Sequence, residues 1–342
     1  MKKNKTLIIA EAGVNHNGSF KIAKKLIDVA SRAGADIVKF QTFKTDSFLI
    51  KKTPKANYQK KSSMKNQTQN QMLEKLELNY NDHIKLINYC KKKKIEFLST
   101  PFDIDSIKLL IKLNLKRIKI PSGEINNLPY LKYISRFKGQ VLLSTGMSNL
   151  NEVRDAINSL LNFGINKDNL VIMHCNSAYP TPFKDVNLNA MLTLKKYFNT
   201  KIGYSDHTLG IEVPIAAVSL GANVIEKHFT LDREAVGPDH KASLLPEELT
   251  AMVKAIRNIE TSLGSKKKIV SKSELTNKRV IRKSIVASRN ISKGDSFNES
   301  NTTVKRPGKG ISPMKFFKLI GNKSKRKYYV DDLIFPDELS NK

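Results

Sequence analysis

The 342-residue chain has no tryptophan, only two cysteines and about half as many acidic residues as basic ones. Two thiols, Cys90 and Cys175, cannot staple a small secreted scaffold, and they fit a reducing cytoplasm. No apolar run approaches the roughly 18 residues of a transmembrane helix, so no membrane span is expected. The N-terminal MKKNKTLIIAEAG has too short an apolar stretch for a signal peptide. Hydrophobic residues make up 40% of the chain, which excludes global disorder and supplies a sizeable core. Acid is in short supply: 60 Lys and Arg stand against 31 Asp and Glu, a formal net charge of +29. Such a charge brings nucleic acid or an anionic membrane surface into consideration. The basic residues are nevertheless scattered, mostly Lys, and accompanied by many Asn and Ile, as a biased genomic composition would give. The longest run, Lys91–Lys94, ends a helical pattern, where cations suit the helix dipole. No nucleic-acid motif accompanies them, so the expected partner is an anionic small substrate, not nucleic acid or a membrane.

What is present is an alternation. Short Ile-, Val- and Leu-rich runs predict strands at 6–10, 36–40, 95–99, 116–120, 140–144, 170–174, 201–204 and 223–227. Amphipathic patterns predict helices between them, among others at 19–33, 81–94, 103–113, 149–163, 211–220 and 246–263. Eight strand–helix units are the count of a (β/α)8 TIM barrel. The first loop, Glu11 to Gly18, lacks the GxGxxG spacing of a dinucleotide-binding sheet. The polar stretch after the second strand, about residues 41–70, is long enough to read as a substrate lid. The expected division is a catalytic barrel over 1–264, a linker over 265–281 and a small β-rich module over 282–342.

Barrel chemistry collects where the strands end. All eight predicted strand ends are polar, with Glu11, Lys39, Gln41, Thr100, Lys119, Ser122, Glu124, Ser144, Asn176, Tyr179, Ser205, Asp206, His207, Glu226, Lys227 and His228 among them. His207 and His228 lie one β/α unit apart and can converge as neutral imidazoles on a divalent metal; hydrogen-bonded loop histidines are the alternative. His16 and His240 are further candidates, His83 belongs to a predicted surface helix, and His174 can simply be buried. Lys39 and Lys119 need anions if they are buried, and with the Ser and Thr hydroxyls they suggest a phosphate and carboxylate pocket. Those hydroxyls could instead be helix caps. Glu124 is the expected acid/base residue, with an ion pair to Lys119 or Lys39 as its other reading.

The segments IIAEAGVNHNGS, VKFQTFK, FLSTPFD, KIPSGEINNLPYL, STGMS, HCNSAYPTPFKDVNL, GYSDHTLG and VIEKHFTLDREAVGPDHKAS closely resemble the sialic acid synthase family. VKRPGKGISP resembles that family's antifreeze-like (SAF) module, and the likeness spans roughly residues 5–335. It implies a transferase that joins phosphoenolpyruvate to an open-chain N-acetylated amino sugar and releases phosphate. Lys39, Thr100, Lys119, Ser122, Ser144, Asn176 and Ser205 would hold phosphoenolpyruvate. His207 and His228 would ligate Mn²⁺ or Mg²⁺. Gln41, Tyr179, Asp239 and Glu11 would contact the sugar or the metal's outer sphere, Tyr179 and Glu11 also being catalytic candidates, and Glu124 would shuttle a proton. Glu226, at the end of the eighth strand, is a further candidate for binding substrate. Arg306 would reach the sugar's N-acetyl group across a domain-swapped homodimer. The expected sugar is N-acetylmannosamine, giving N-acetylneuraminate, with 2,4-diacetamido-2,4,6-trideoxymannose, giving N,N'-diacetyllegionaminate, as the alternative. A pseudaminate branch is disfavoured because it usually resembles KIASFE where this chain has Lys119-Ile120-Pro121-Ser122-Gly123-Glu124. Two readings outside the family are a basic nucleic-acid-binding protein and a non-catalytic carbohydrate-binding barrel.

Overall fold

The computed structural model describes residues 5–50, 53–54 and 68–339. Eight parallel strands form one sheet: β1 (Leu7–Gly13), β2 (Ile37–Thr42), β3 (Glu96–Pro101), β4 (Arg117–Ile120), β5 (Gln140–Ser144), β6 (Leu170–Cys175), β7 (Lys201–Asp206) and β8 (Val224–His228). Their order is β3-β2-β1-β8-β7-β6-β5-β4, and β3 packs against β4, which closes the barrel. Seven of the predicted strands fall within two residues of these bounds, and β1 runs three residues further than its predicted range, to Gly13. Helices Leu128–Ile134 and Leu188–Phe198 complete the fourth and sixth units. Of the predicted lid over 41–70, residues 51–52 and 55–67 lie outside the described residues. Its flanks form the short helices Thr45–Phe48 and Gln69–Glu74, the latter opened by a Thr68–Gln71 capping box.

The two-residue period of a strand sorts the side chains. Ile8, Val38, Phe97, Ile118, Leu143, Ile172, Ile202 and Ile225 face out and pack with the helices in the main core. Ile9, Ile37, Leu98, Leu142, Val171, Met173 and Val224 form a separate apolar cluster inside the barrel. Gly203 completes that layer by absence. A Cβ there would lie 2.2 Å from Met173 Sδ and 2.8 Å from the Val224 carbonyl oxygen. One period nearer the C-terminal mouth, every strand turns polar.

His83 corrects an expectation. Its helix, Tyr80–Lys92, presents it to the barrel wall, where it is fully buried. Nδ1 meets the Asn79 carbonyl and Nε2 meets Thr42 Oγ1, which bonds Ser99 in turn. Outward-facing hydroxyls on β2 and β3 therefore need a polar partner on that helix.

The chain divides into two compact units, residues 1–264 and 265–342. The second contains an antiparallel pair, β9 (Ser284–Ala287) and β10 (Thr302–Lys305), over a small core of Ile285, Ile291, Phe297, Leu319, Tyr328 and Ile334. The stretch expected as plain linker, 265–281, includes a helix at Leu275–Ile281.

Candidate active site

A cavity of about 490 Å³ opens at the C-terminal mouth of the barrel. Every strand supplies an inward residue to it: Glu11, Lys39, Thr100, Lys119, Ser144, Cys175, Ser205 and Glu226. This ring sits directly above the apolar layer, so its charges are held almost without water. Lys39 Nζ donates to Thr100 Oγ1 at 2.7 Å and lies 3.0 Å from Glu11 Oε1 and 3.6 Å from Glu226 Oε2. Lys119 Nζ donates to both Glu226 oxygens, at 2.8 and 2.9 Å, and Ser205 Oγ donates to Oε1 at 2.9 Å. The two carboxylates differ. Burial pushes Glu11 up to about 8, against the pull of Lys39, and its Oε2 has no hydrogen-bond partner. Glu226, gripped by Lys119 and Lys39 against its burial, is held well below the usual carboxylate range.

Above the ring the two imidazoles converge, with His207 and His228 ring centres 5.4 Å apart. His207 Nδ1 meets the Asn176 carbonyl oxygen, which requires the hydrogen on Nδ1 and leaves the Nε2 lone pair free to coordinate. His228 Nδ1 is buried without a hydrogen-bond partner, 3.9 Å from Asp239 Oδ2. Burial lowers His207 to about 4 and His228 well below its ordinary value, so both are neutral, as metal ligands must be. Tyr179 packs on His207 at 4.0 Å and meets His228 edge-on. Among the described residues no group of three or more His, Cys, Asp or Glu is gathered as a metal cage. The donor set is two imidazoles, which fits an open site whose other positions belong to substrate and water.

Gln41 and Asp239 also line the cavity. Gln41 Nε2, Glu11 Oε1 and Asp239 Oδ2 surround the position a Cβ of Gly13 would take, at 3.4, 3.4 and 3.5 Å. Ser122 lines the cavity too, accepting from the Gly146 N–H at 3.0 Å beside Cys175 Sγ at 3.3 Å.

Four placements bear on the sequence expectations. Glu124 does not pair with Lys39 or Lys119, whose ammoniums are taken by Glu11 and Glu226. It lies on the turn Ser122–Glu124, accepts from Asn127 Nδ2 at 2.6 Å, and is pushed up by burial and by Asp103. The Asn176 side chain bonds within its own loop, to the Asp185 carbonyl and the Ala178 N–H, and is not among the cavity-lining residues. Asp206 and Lys227 sit at strand ends but on the outward parity, where they form a fully buried ion pair. Arg306 belongs to the second unit, where its side chain is exposed. Of the other histidines, His16 accepts from the Gly18 N–H, His240 bonds Thr230, and His174 bonds the Val186 carbonyl. Sequence reasoning missed the cavity's apolar rim, Val14, Phe43, Phe48, Leu73 and Phe102. Its only signal was the Phe-rich composition of 40–48.

The comparisons agree with this architecture. Residues 26–268 match the NeuB family and residues 282–340 the SAF domain. The chain is 52% identical over 330 residues to an N,N'-diacetyllegionaminic acid synthase of Campylobacter jejuni, covering 96% of this chain and 99% of that protein. It is 48% identical over 318 residues to the enzyme of that name in Legionella pneumophila, covering 92% and 89%. The crystal structure of an N-acetylneuraminic acid synthetase from Leptospira borgpetersenii superposes with a TM-score of 0.70 at 33% identity, covering 80% of this chain and 90% of that one. The chain therefore belongs to the NeuB family and carries a C-terminal SAF domain.

Proposed function

We propose that this protein condenses phosphoenolpyruvate with 2,4-diacetamido-2,4,6-trideoxymannose to give N,N'-diacetyllegionaminate and phosphate. The ring of two lysines, two carboxylates and three hydroxyls beneath two neutral imidazoles supports the reaction. The choice of sugar rests on the relatives at 52% and 48% identity, and it displaces the N-acetylmannosamine expected from sequence.

Lys39, Lys119, Ser122, Ser144 and Ser205, with Thr100, hold the phosphate and carboxylate of phosphoenolpyruvate by fixed donors in a water-poor site. Enol C3 forms the new bond to the sugar's C1, and the aldehyde oxygen takes a proton. Water adds at C2, and the C–O bond to phosphate breaks, leaving the 2-keto acid. His207 and His228 are the residues that would hold a divalent cation, Mn²⁺ or Mg²⁺, which supplies Lewis-acid polarisation of the aldehyde oxygen. Glu124, next in sequence to the lining residues Ser122 and Gly123 though not itself among the lining residues, moves a proton at that oxygen or at the water. Glu11 Oε2 can hold another. Gln41, Tyr179 and Asp239 orient the sugar. Arg306 reaches the sugar bound by a second copy in a homodimer.

The test is phosphate release from phosphoenolpyruvate with Mn²⁺ and each sugar in turn, with products identified by mass. A kcat/KM about tenfold higher for the diacetamido sugar supports the reading, the size of discrimination one pocket contact can supply. The same margin for N-acetylmannosamine would replace it with neuraminate synthesis.

A further inference from the structure

The cavity has two chemically opposite ends. Its floor is the charged ring, but its rim on the β2 and β3 side is a closed cluster of aromatic rings. The Phe43 ring centre lies 5.8 Å from that of Phe48 and 6.1 Å from that of Phe102, and Phe48 and Phe102 are 6.0 Å apart. The three rings come from three segments: Phe43 just after β2, Phe48 from the helix Thr45–Phe48, and Phe102 just after β3. Val14 and Leu73 pack with them, and all five line the cavity.

We propose that this phenyl cluster is a specificity pocket for the unhydroxylated C6 carbon of the sugar. The inference rests on the reading of the site as a synthase for a trideoxy hexose. The argument is one of geometry and hydrogen-bond supply. The sugar's aldehyde carbon must meet the enol of phosphoenolpyruvate over the charged floor, so the far end of its chain reaches the rim. None of these five side chains has a polar atom, and the polar lining residue next to them is Gln69, which shares the helix Gln69–Glu74 with Leu73. A C6 hydroxyl pressed against them gives up its water without replacement, whereas a C6 methyl only gains by leaving water. The acetamido groups carry an N–H and a carbonyl that the rings cannot satisfy, so they turn instead toward polar lining groups such as Gln41 and Asp239. The apolar rim thus selects against a hydroxyl at C6.

The experiment compares three acceptors in the phosphate-release assay: N-acetylmannosamine, its 6-deoxy analogue and the 2,4-diacetamido-2,4,6-trideoxy sugar. The first two differ only at C6. The expected wild-type preference for the 6-deoxy analogue in kcat/KM is about tenfold, within the range an apolar pocket achieves. Phe48→Ser should lower that ratio by about threefold or more, with the KM for phosphoenolpyruvate changed less than about twofold. Phe48→Leu, which stays apolar, should keep the ratio, and thermal melting checks that each variant folds. A wild-type ratio near one, with all three sugars turned over, overturns the pocket and leaves the synthase reading standing. A ratio that neither Phe48→Ser nor Phe102→Ser alters does the same. No phosphate from any of the three overturns both.

Discussion

Glu124→Gln keeps the side chain's size and its acceptor for Asn127 while removing the proton a carboxyl can exchange. Burial holds that proton more tightly than in water, as suits an acid near neutral pH. The substitution should lower kcat by more than about a hundredfold while leaving phosphoenolpyruvate binding intact. Near-normal turnover would take Glu124 out of the chemistry and leave Glu11 as the carboxyl to test. His16 offers a pH test away from the reaction. Burial, with His83 nearby, lowers it to about 4, from an ordinary 6.5. Above pH 6.5 it is neutral folded or unfolded and contributes nothing. Between 6.5 and 4 the unfolded chain binds a proton that the folded chain refuses, so stability is lost as pH falls. The loss assignable to His16 is at most about 3 kcal/mol. Unfolding measured at pH 7 and pH 5 should show a smaller drop for His16→Asn than for the wild type, and an equal drop would refute the assignment.

At the scale of strands, the sequence revealed where the elements are more fully than which way they face. Runs such as LVIMH and DIVKF are apolar on both sides, so their position was plain and their parity was not. Parity separates Glu226 and His228, which line the cavity, from Lys227 between them, which points outward to Asp206. From sequence alone all three were polar strand ends. The convergence of His207 and His228 was legible because one β/α unit separates them. The pairing of Lys119 with Glu226 was not, since they lie 107 positions apart. The Lys227 ammonium also donates to the Thr208 carbonyl, and Asp206 accepts from the Thr208 N–H and hydroxyl. The segment that carries His207 is therefore pinned to β8 by a fully buried pair. Lys227→Met removes one partner and leaves Asp206 buried and uncompensated. It should cost about 3–5 kcal/mol in urea-induced unfolding. Adding Asp206→Asn should recover part of that loss. A loss below about 1 kcal/mol, the worth of a surface pair, would show that the segment is held otherwise.

Over the whole molecule the charge remains. Residues 265–342 carry 20 Lys and Arg against 7 Asp and Glu, and residues 1–264 carry 40 against 24. The excess is therefore densest in the SAF-containing unit. Within the barrel mouth two lysines stand against three carboxylates, Glu11, Glu226 and Asp239, of which burial pushes Glu11 up to about 8 and Asp239 up to about 6, so the mouth itself is close to charge balance and the steering charge is that of the surface. In the proposed reaction one substrate is a small multiply charged anion, while its co-substrate sugar is neutral, and this provides an internal control. A surface of one sign raises the encounter rate of the anion alone, and added salt removes that gain. Raising salt from about 20 to 200 mM shortens the screening length from roughly 20 to 7 Å. kcat/KM for phosphoenolpyruvate should then fall by about three- to tenfold, with kcat/KM for the sugar changed less than about twofold. Equal decline for both would point to salt acting on the fold. No decline for either would mean that the +29 does not steer substrate and is a matter of composition.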